Sequence, residues 1–150
     1  MLRVTGLKVA SPRRTTREPV CMRKTQINPW TWQDQRGFSQ AWKVEEGQTV
    51  IFVSGQVSAS ADGQPMHPGD FTAQTRLVFE NLRTVLERAG ASLEHVVKLG
   101  VFLTDMSRLP EYGRIKAEFF KGPQPASTAV GVNALALSAY LIEVEATAVV

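Results

Sequence analysis

Residues 70–90 narrow the possible folds more than any other stretch. Asp70 stands where an N-cap belongs, Phe71, Val78, Leu82, Val85 and Ala89 recur on one helical face, and Gly90 follows at a position suited to left-handed backbone. The spacing predicts an amphipathic helix of roughly 20 residues. Arg76, Arg83 and Arg88 fall on its solvated side. On either side lie the apolar, β-branched runs Thr49–Val57 and Val96–Thr104, which read as strands. A helix joining two strands is a crossover, so this one must cover a face of their sheet.

The remaining elements follow from the same two periodicities. Phe38–Val44 alternates as a first strand, with Glu45-Glu-Gly47 as its turn. Thr49–Val57 is nearly all apolar and is expected at the sheet centre, buried on both faces. Ser58–Gly69 is a polar loop with Asp62-Gly63 as a turn signal. His95 has no neighbour in sequence to bond and is expected at the surface. Ser107 is placed to cap a second helix, with Pro110 early, Tyr112, Ile115 and Phe119 as its apolar stripe, and Gly122-Pro123 as its stop. A small-residue strand through Val132 and a final strand, Tyr140–Val150, complete the order β-β-α-β-α-β-β. This is an α/β (α+β) two-layer sandwich with both helices on one sheet face. The other face has no helix left to cover it, and its apolar character favours packing against another copy.

Length and composition bound the rest. One hundred and fifty residues suit one domain, and no apolar run approaches the roughly 18 residues of a membrane span. A single cysteine, Cys21, excludes an internal disulfide, and the N-terminus lacks an apolar signal core; a cytoplasmic location is expected. His67 and His95 give no basis for a metal site. The formal charge of +3 divides unevenly. Residues 1–25 hold seven Lys/Arg against Glu18, whereas residues 26–150 hold ten against thirteen acids. Residues 1–25 are therefore expected to be a basic, flexible extension, and 26–150 the folded domain. The extension has no aromatic residue for base stacking, and the acidic body lacks the clustered cations that phosphate binding needs, so nucleic acid is an unlikely partner.

Three places carry candidate chemistry. Ser54, Gly55 and Gln56 end the strongest strand as a polar rim. Glu143 and Glu145 lie two apart in the last strand, on a face shared with Leu141, Thr147 and Val149. Partial burial there would raise a glutamate's proton affinity and suit it to general acid or base work. Pro125–Leu135 brings Ser127, Thr128 and Asn133 to a run of small residues that a ligand can approach closely.

From about Phe38 to Val150 the chain resembles the YjgF/RidA (Rid) family. The resemblance is carried by Phe38-Ser-Gln40, Val53-Ser-Gly-Gln56, Leu86-Glu-Arg-Ala-Gly-Ala-Ser92, Val101-Phe-Leu-Thr-Asp105, Glu118-Phe-Phe120, Ala129-Val-Gly-Val132 and Ile142-Glu-Val-Glu-Ala146. It implies a chorismate-mutase-like fold, a homotrimer around a central β-barrel, and small-molecule clefts between subunits. It also implies hydrolysis of enamines and imines to 2-keto acids and ammonia, without metal or organic cofactor. On this resemblance Glu143 is the catalytic glutamate, Ser54 and Gly55 are the strand-end pair, and Phe38 takes the place of the cleft tyrosine. Gly113 takes the place of an asparagine, and Ser127, followed by Thr128, that of the arginine that clamps the substrate carboxylate.

A bidentate arginine–carboxylate pair contributes on the order of 1.5–3 kcal/mol, and a serine hydroxyl does not replace its charge. The expected substrate is then an imine or enamine with a different or absent carboxylate. Lys116 and Arg114, on the preceding predicted helix, are the cations considered in the arginine's place. The other readings are a non-catalytic metabolite-binding or interaction module and, less favoured by the acidic body, an RNA-acting protein.

Overall fold

The structure, a computed structural model, describes residues 22–29, 31, 37–46 and 49–150. Its strands are β1 (Arg23–Ile27), β2 (Ala41–Glu45), β3 (Val50–Gln56), β4 (Val96–Leu103), β5 (Ala126–Gly131) and β6 (Ile142–Val149). Its helices are α1 (Phe71–Arg88) and α2 (Leu109–Phe119). Four strands form a mixed sheet in the order β3-β6-β4-β5. β6 runs antiparallel to both β3 and β4, and β4 runs parallel to β5. The expected two-layer α+β architecture is what forms.

Hydrophobic periodicity explains the helix layer. Asp70 Oδ1 accepts from Ala73 N at 3.0 Å, and Gly90 adopts φ +77 just past the helix end. The buried face of α1 is Phe71, Gln74, Thr75, Val78, Phe79, Leu82 and Leu86. It is therefore rotated from the predicted stripe: Val85 and Ala89 are exposed. Phe79 explains the rotation, since its ring packs 5.9 Å from Tyr112, 5.1 Å from Phe119 and 5.8 Å from Phe120. That aromatic cluster locks α1 to α2 and turns Val85 outward. Beneath the helices lie Leu99, Val101, Leu103, Ile142 and Val144, all in the buried core.

Four local expectations need correction. β3 lies at a sheet edge rather than at the centre, and Phe52 is 82% exposed. Ser107 does not cap α2; its own N–H donates to Asp105 Oδ1, which caps a 3-10 turn at Met106–Arg108. His95 is half-buried, and its Nδ1 accepts from Ser92 N at 3.0 Å to brace the turn before β4. Arg23 and Lys24, inside the segment assigned to the extension, belong to β1, which pairs with β2 in a separate antiparallel sheet. Residues 1–21, including Cys21, lie outside the described residues.

The β1–β2 sheet is tied to the β5 side of the domain. Ser39 forms a parallel bridge with Ala126, Ser39 N donates to Pro125 O at 3.2 Å, and Trp42 Nε1 donates to Gln124 O at 3.0 Å. The sheet face away from the helices carries Phe52, Val50 and Val130, all exposed, beside Lys98, Phe102, Glu143, Glu145 and Thr147.

Candidate functional site

Glu143 reaches the open sheet face because it alternates with Ile142 and Val144, which point into the core. Its β4 partner is Phe102. On the β3 side the register slips between Val53 and Gln56, leaving Ser54 and Gly55 as a bulge. The bulge holds Gly55 directly under the Glu143 side chain. A Cβ at position 55 would overlap Glu143 Oε1 and stand 2.6 Å from its Cδ. The missing side chain is thus the seat of the carboxylate. The same device recurs one row along, where a Cβ at Gly100 would stand 2.5 Å from Glu145 Oε1. Glu143 is half-buried and Glu145 exposed, so they sit differently despite their equivalent spacing. Ser54 is exposed beside Gly55, and its carbonyl accepts from Gln56 Nε2 at 3.1 Å.

The other candidates lie elsewhere. Ser127 pairs with Leu99, which is fully buried beneath the helices, so Ser127 faces the helix layer. There it neighbours the Tyr112 hydroxyl, which is buried without a hydrogen bond of good geometry. Burial pushes the Tyr112 phenol up, and the Ser127 hydroxyl offsets part of that. Phe38 is half-buried in the segment that Ser39 bridges to β5. Thr128 returns to the open face, where its Oγ1 accepts from Lys98 Nζ at 2.6 Å.

The predicted site residues therefore form two groups. Glu143, Ser54 and Gly55 meet at the β3–β6 side of the open face. Ser127 and Phe38 meet at the β5–α2 side. With β4 between β6 and β5, the groups are separated by two inter-strand spacings, roughly 10 Å, as well as by the sheet itself. A single chain does not bring Glu143 and Ser127 to one ligand.

One residue in the second group is more prominent than its sequence suggests. Lys116 lies one turn past Tyr112 on the inner face of α2 and is only 4% exposed. Its Nζ donates to Gly37 O, and among the described residues no carboxylate pairs with it. Burial pulls its pKa down from 10.5 to about 8. Arg114, two residues earlier, is exposed. The signal available for Lys116 was its i+4 spacing from Tyr112, but a lysine at such a position usually marks a solvated flank. A cavity of about 450 Å³ between Lys24, Trp42, Val96, Phe120 and Pro123 contains none of the predicted site residues.

A four-stranded mixed sheet with two helices on one face and the other face uncovered is a small two-layer α+β domain. Comparison with known proteins places the chain within that class. The family model described as Endoribonuclease L-PSP matches residues 33–150, and the chain belongs to this family, the YjgF/RidA family. A RutC family protein of Pyrococcus abyssi is 40% identical over 111 residues, covering 74% of this chain and 84% of the relative. The crystal structure of the Rid family protein YyfB from Yersinia pestis, described as of unknown function, is 34% identical with a TM-score of 0.77, covering 85% of this chain and 98% of that one. RidA from an Antarctic Psychrobacter is 30% identical with a TM-score of 0.64, covering 89% and 100%.

Proposed function

We propose that the protein is a hydrolase of imines or enamines, working without metal or organic cofactor in a cleft shared between copies of the chain. The observation that carries this reading is the Glu143 carboxylate held on Gly55. A carboxylate fixed there can take a proton from water as the oxygen adds to the imine carbon. The imine nitrogen gains a proton, and the resulting carbinolamine loses ammonia as the C–O bond becomes a carbonyl. One water is consumed and one ammonia released. Ser54 and Thr128 supply hydroxyls for orienting the ligand.

The homotrimer belongs to the same reading. Two separated groups of site residues, and an uncovered face bearing Phe52, Val50 and Val130, both favour an assembly that apposes the β3–β6 side of one copy with the β5–α2 side of the next. The location proposed is the cytoplasm, on the single cysteine of the sequence. Among the described residues no helix is long and apolar enough to cross a membrane.

The test is ammonia release from imines generated in situ by an amino-acid oxidase, comparing wild type with Glu143→Gln. Loss of turnover on the order of 10²–10⁴-fold in the variant, with an unchanged circular dichroism spectrum, is expected. No turnover by the wild type on any imine, with a metabolite retained in the cleft, would favour the non-catalytic binding module. Cleavage of RNA that survives in Glu143→Gln would place the activity elsewhere.

A further inference from the structure

The cavity of about 450 Å³ lies between the β1–β2 sheet, the turn before β4 and the end of α2, and has the size of a small-molecule pocket. None of Glu143, Ser54, Gly55, Phe38, Ser127 or Thr128 lines it. Its walls are held from behind. Phe119 and Phe120 pack on Phe79 at 5.1 and 5.8 Å, and Val96 is buried in the core. Leu93 and Glu94 ride on the turn that His95 Nδ1 braces by accepting from Ser92 N. Trp42 Nε1 donates to Gln124 O, so with its polar atom satisfied the indole offers the cavity a hydrocarbon ring. Three aromatic side chains, Trp42, Phe119 and Phe120, thus wall a preformed space.

A cation is fixed at this wall. In the β1–β2 ladder Lys24 stands opposite Val44 and Trp42 opposite Gln26, which makes Lys24 and Trp42 diagonal neighbours on one face. Lys24 Nζ accordingly lies 5.6 Å from the centroid of the indole ring, and it donates to Glu94 O. Desolvation pulls the Lys24 pKa down, against the opposing pull of the Glu94 carboxylate. Lys121, whose Nζ donates to Ala117 O at 2.8 Å, adds a second cation. Among the described residues that line the cavity, two cations therefore stand against the single carboxylate of Glu94.

The geometry points to a second ligand site, for an aromatic carboxylic acid whose ring lies against Trp42, Phe119 and Phe120 and whose carboxylate meets Lys24. An aliphatic ligand of the same volume would forgo the ring–ring contacts that three aromatic walls offer. A cationic ligand would meet two like charges, and a neutral one would leave a partly desolvated ammonium without an anion. The site stands apart from the hydrolase reading, since it uses no residue of that cleft and holds whether or not imines are turned over.

The test is equilibrium binding of 1-naphthoate to the full-length protein by titration calorimetry, with 1-naphthalenemethanol as the uncharged control and acetate as the ringless one. The wild type is expected to bind the acid, and each control about tenfold more weakly or worse. Lys24→Met is expected to lose about tenfold in affinity for 1-naphthoate, and Lys24→Arg to regain most of it. Leu93→Trp, which fills the cavity from its wall, is expected to abolish binding with an unchanged circular dichroism spectrum. Glu143→Gln is expected to bind as the wild type does. No binding by the wild type, or affinity unchanged in both Lys24→Met and Leu93→Trp, overturns the inference. Binding lost in Glu143→Gln but kept in Leu93→Trp places the acid in the hydrolase cleft and overturns it too. A wild type that binds 1-naphthoate through Lys24 but turns over no imine supports this site and removes only the hydrolase reading.

Discussion

The Glu143 side chain occupies the space that any side chain on Gly55 would need, with Cδ 2.6 Å and Cγ 2.8 Å from the position of a Cβ there. A bulge residue of β3 and a residue of the adjacent β6 have in effect divided one side-chain volume. The glycine supplies the floor, and the glutamate gains an orientation that a free rotamer would not hold.

Gly55→Ala is therefore expected to act as a Glu143 variant. The methyl group displaces the carboxylate, which is the far end of a flexible side chain, so the fold tolerates the change. Imine turnover should fall on the order of 10²-fold while the melting temperature moves by only a few degrees. Steady-state ammonia release and a thermal melt, run on the same preparation, check both halves.

Phe52→Asp is expected to abolish assembly. Phe52 is 82% exposed at the open edge of the sheet, and a charge there would have to be buried unpaired in any interface that covers the face. Sedimentation equilibrium should report a trimer for the wild type and a monomer for the variant. A trimer of unchanged stability in Phe52→Asp would mean that the open face is not the interface.

Stability is expected to rise with pH on the alkaline side. The Lys116 pKa is lowered from 10.5 to about 8, so between these values the unfolded chain holds the proton and the folded chain does not. The penalty for burying the charge is present in full below pH 8 and is relieved as pH climbs towards 10.5. The gap corresponds to on the order of 3 kcal/mol. Urea unfolding at pH 7.5 and 9.5 should show this slope in the wild type and its absence in Lys116→Met.

Leu82→Ala tests the core. Leu82 is fully buried beside Phe79, where α1 meets the sheet. The cavity left behind should cost about 2–5 kcal/mol without altering the midpoint dependence on pH. Denaturant unfolding with a constant m-value checks it.

The architecture could be read from the chain because local periodicities and caps agree with the final packing: Asp70 and Gly90 bracket α1, and Ile142 and Val144 set which way Glu143 faces. Misreadings arose where a residue's environment comes from distant chain. Val50–Gln56 looked like a central strand because an apolar run reads alike whether its second face meets its own core or lies open for another surface. The burial of Lys116 was not legible locally because the Gly37 carbonyl it bonds is 79 positions away in sequence. β1 was hidden by its own composition: Arg23 and Lys24 read as part of a basic arm, yet Arg23 pairs with Glu45 at 3.2 Å across the β1–β2 ladder. Ser127 and Glu143 could each be placed on a strand, but their separation across β4 depends on strand order, which periodicity does not encode.

That separation has a genetic consequence. A chain that keeps Glu143 on one side of its sheet and Ser127 with Lys116 on the other lends each half to a different neighbour in the proposed ring. One defective copy would then spoil the cleft it completes on its left or the one on its right, according to which half is damaged. Two alleles, one damaged on the Glu143 side and the other on the Ser127 side, would restore working clefts when co-expressed, although neither works alone.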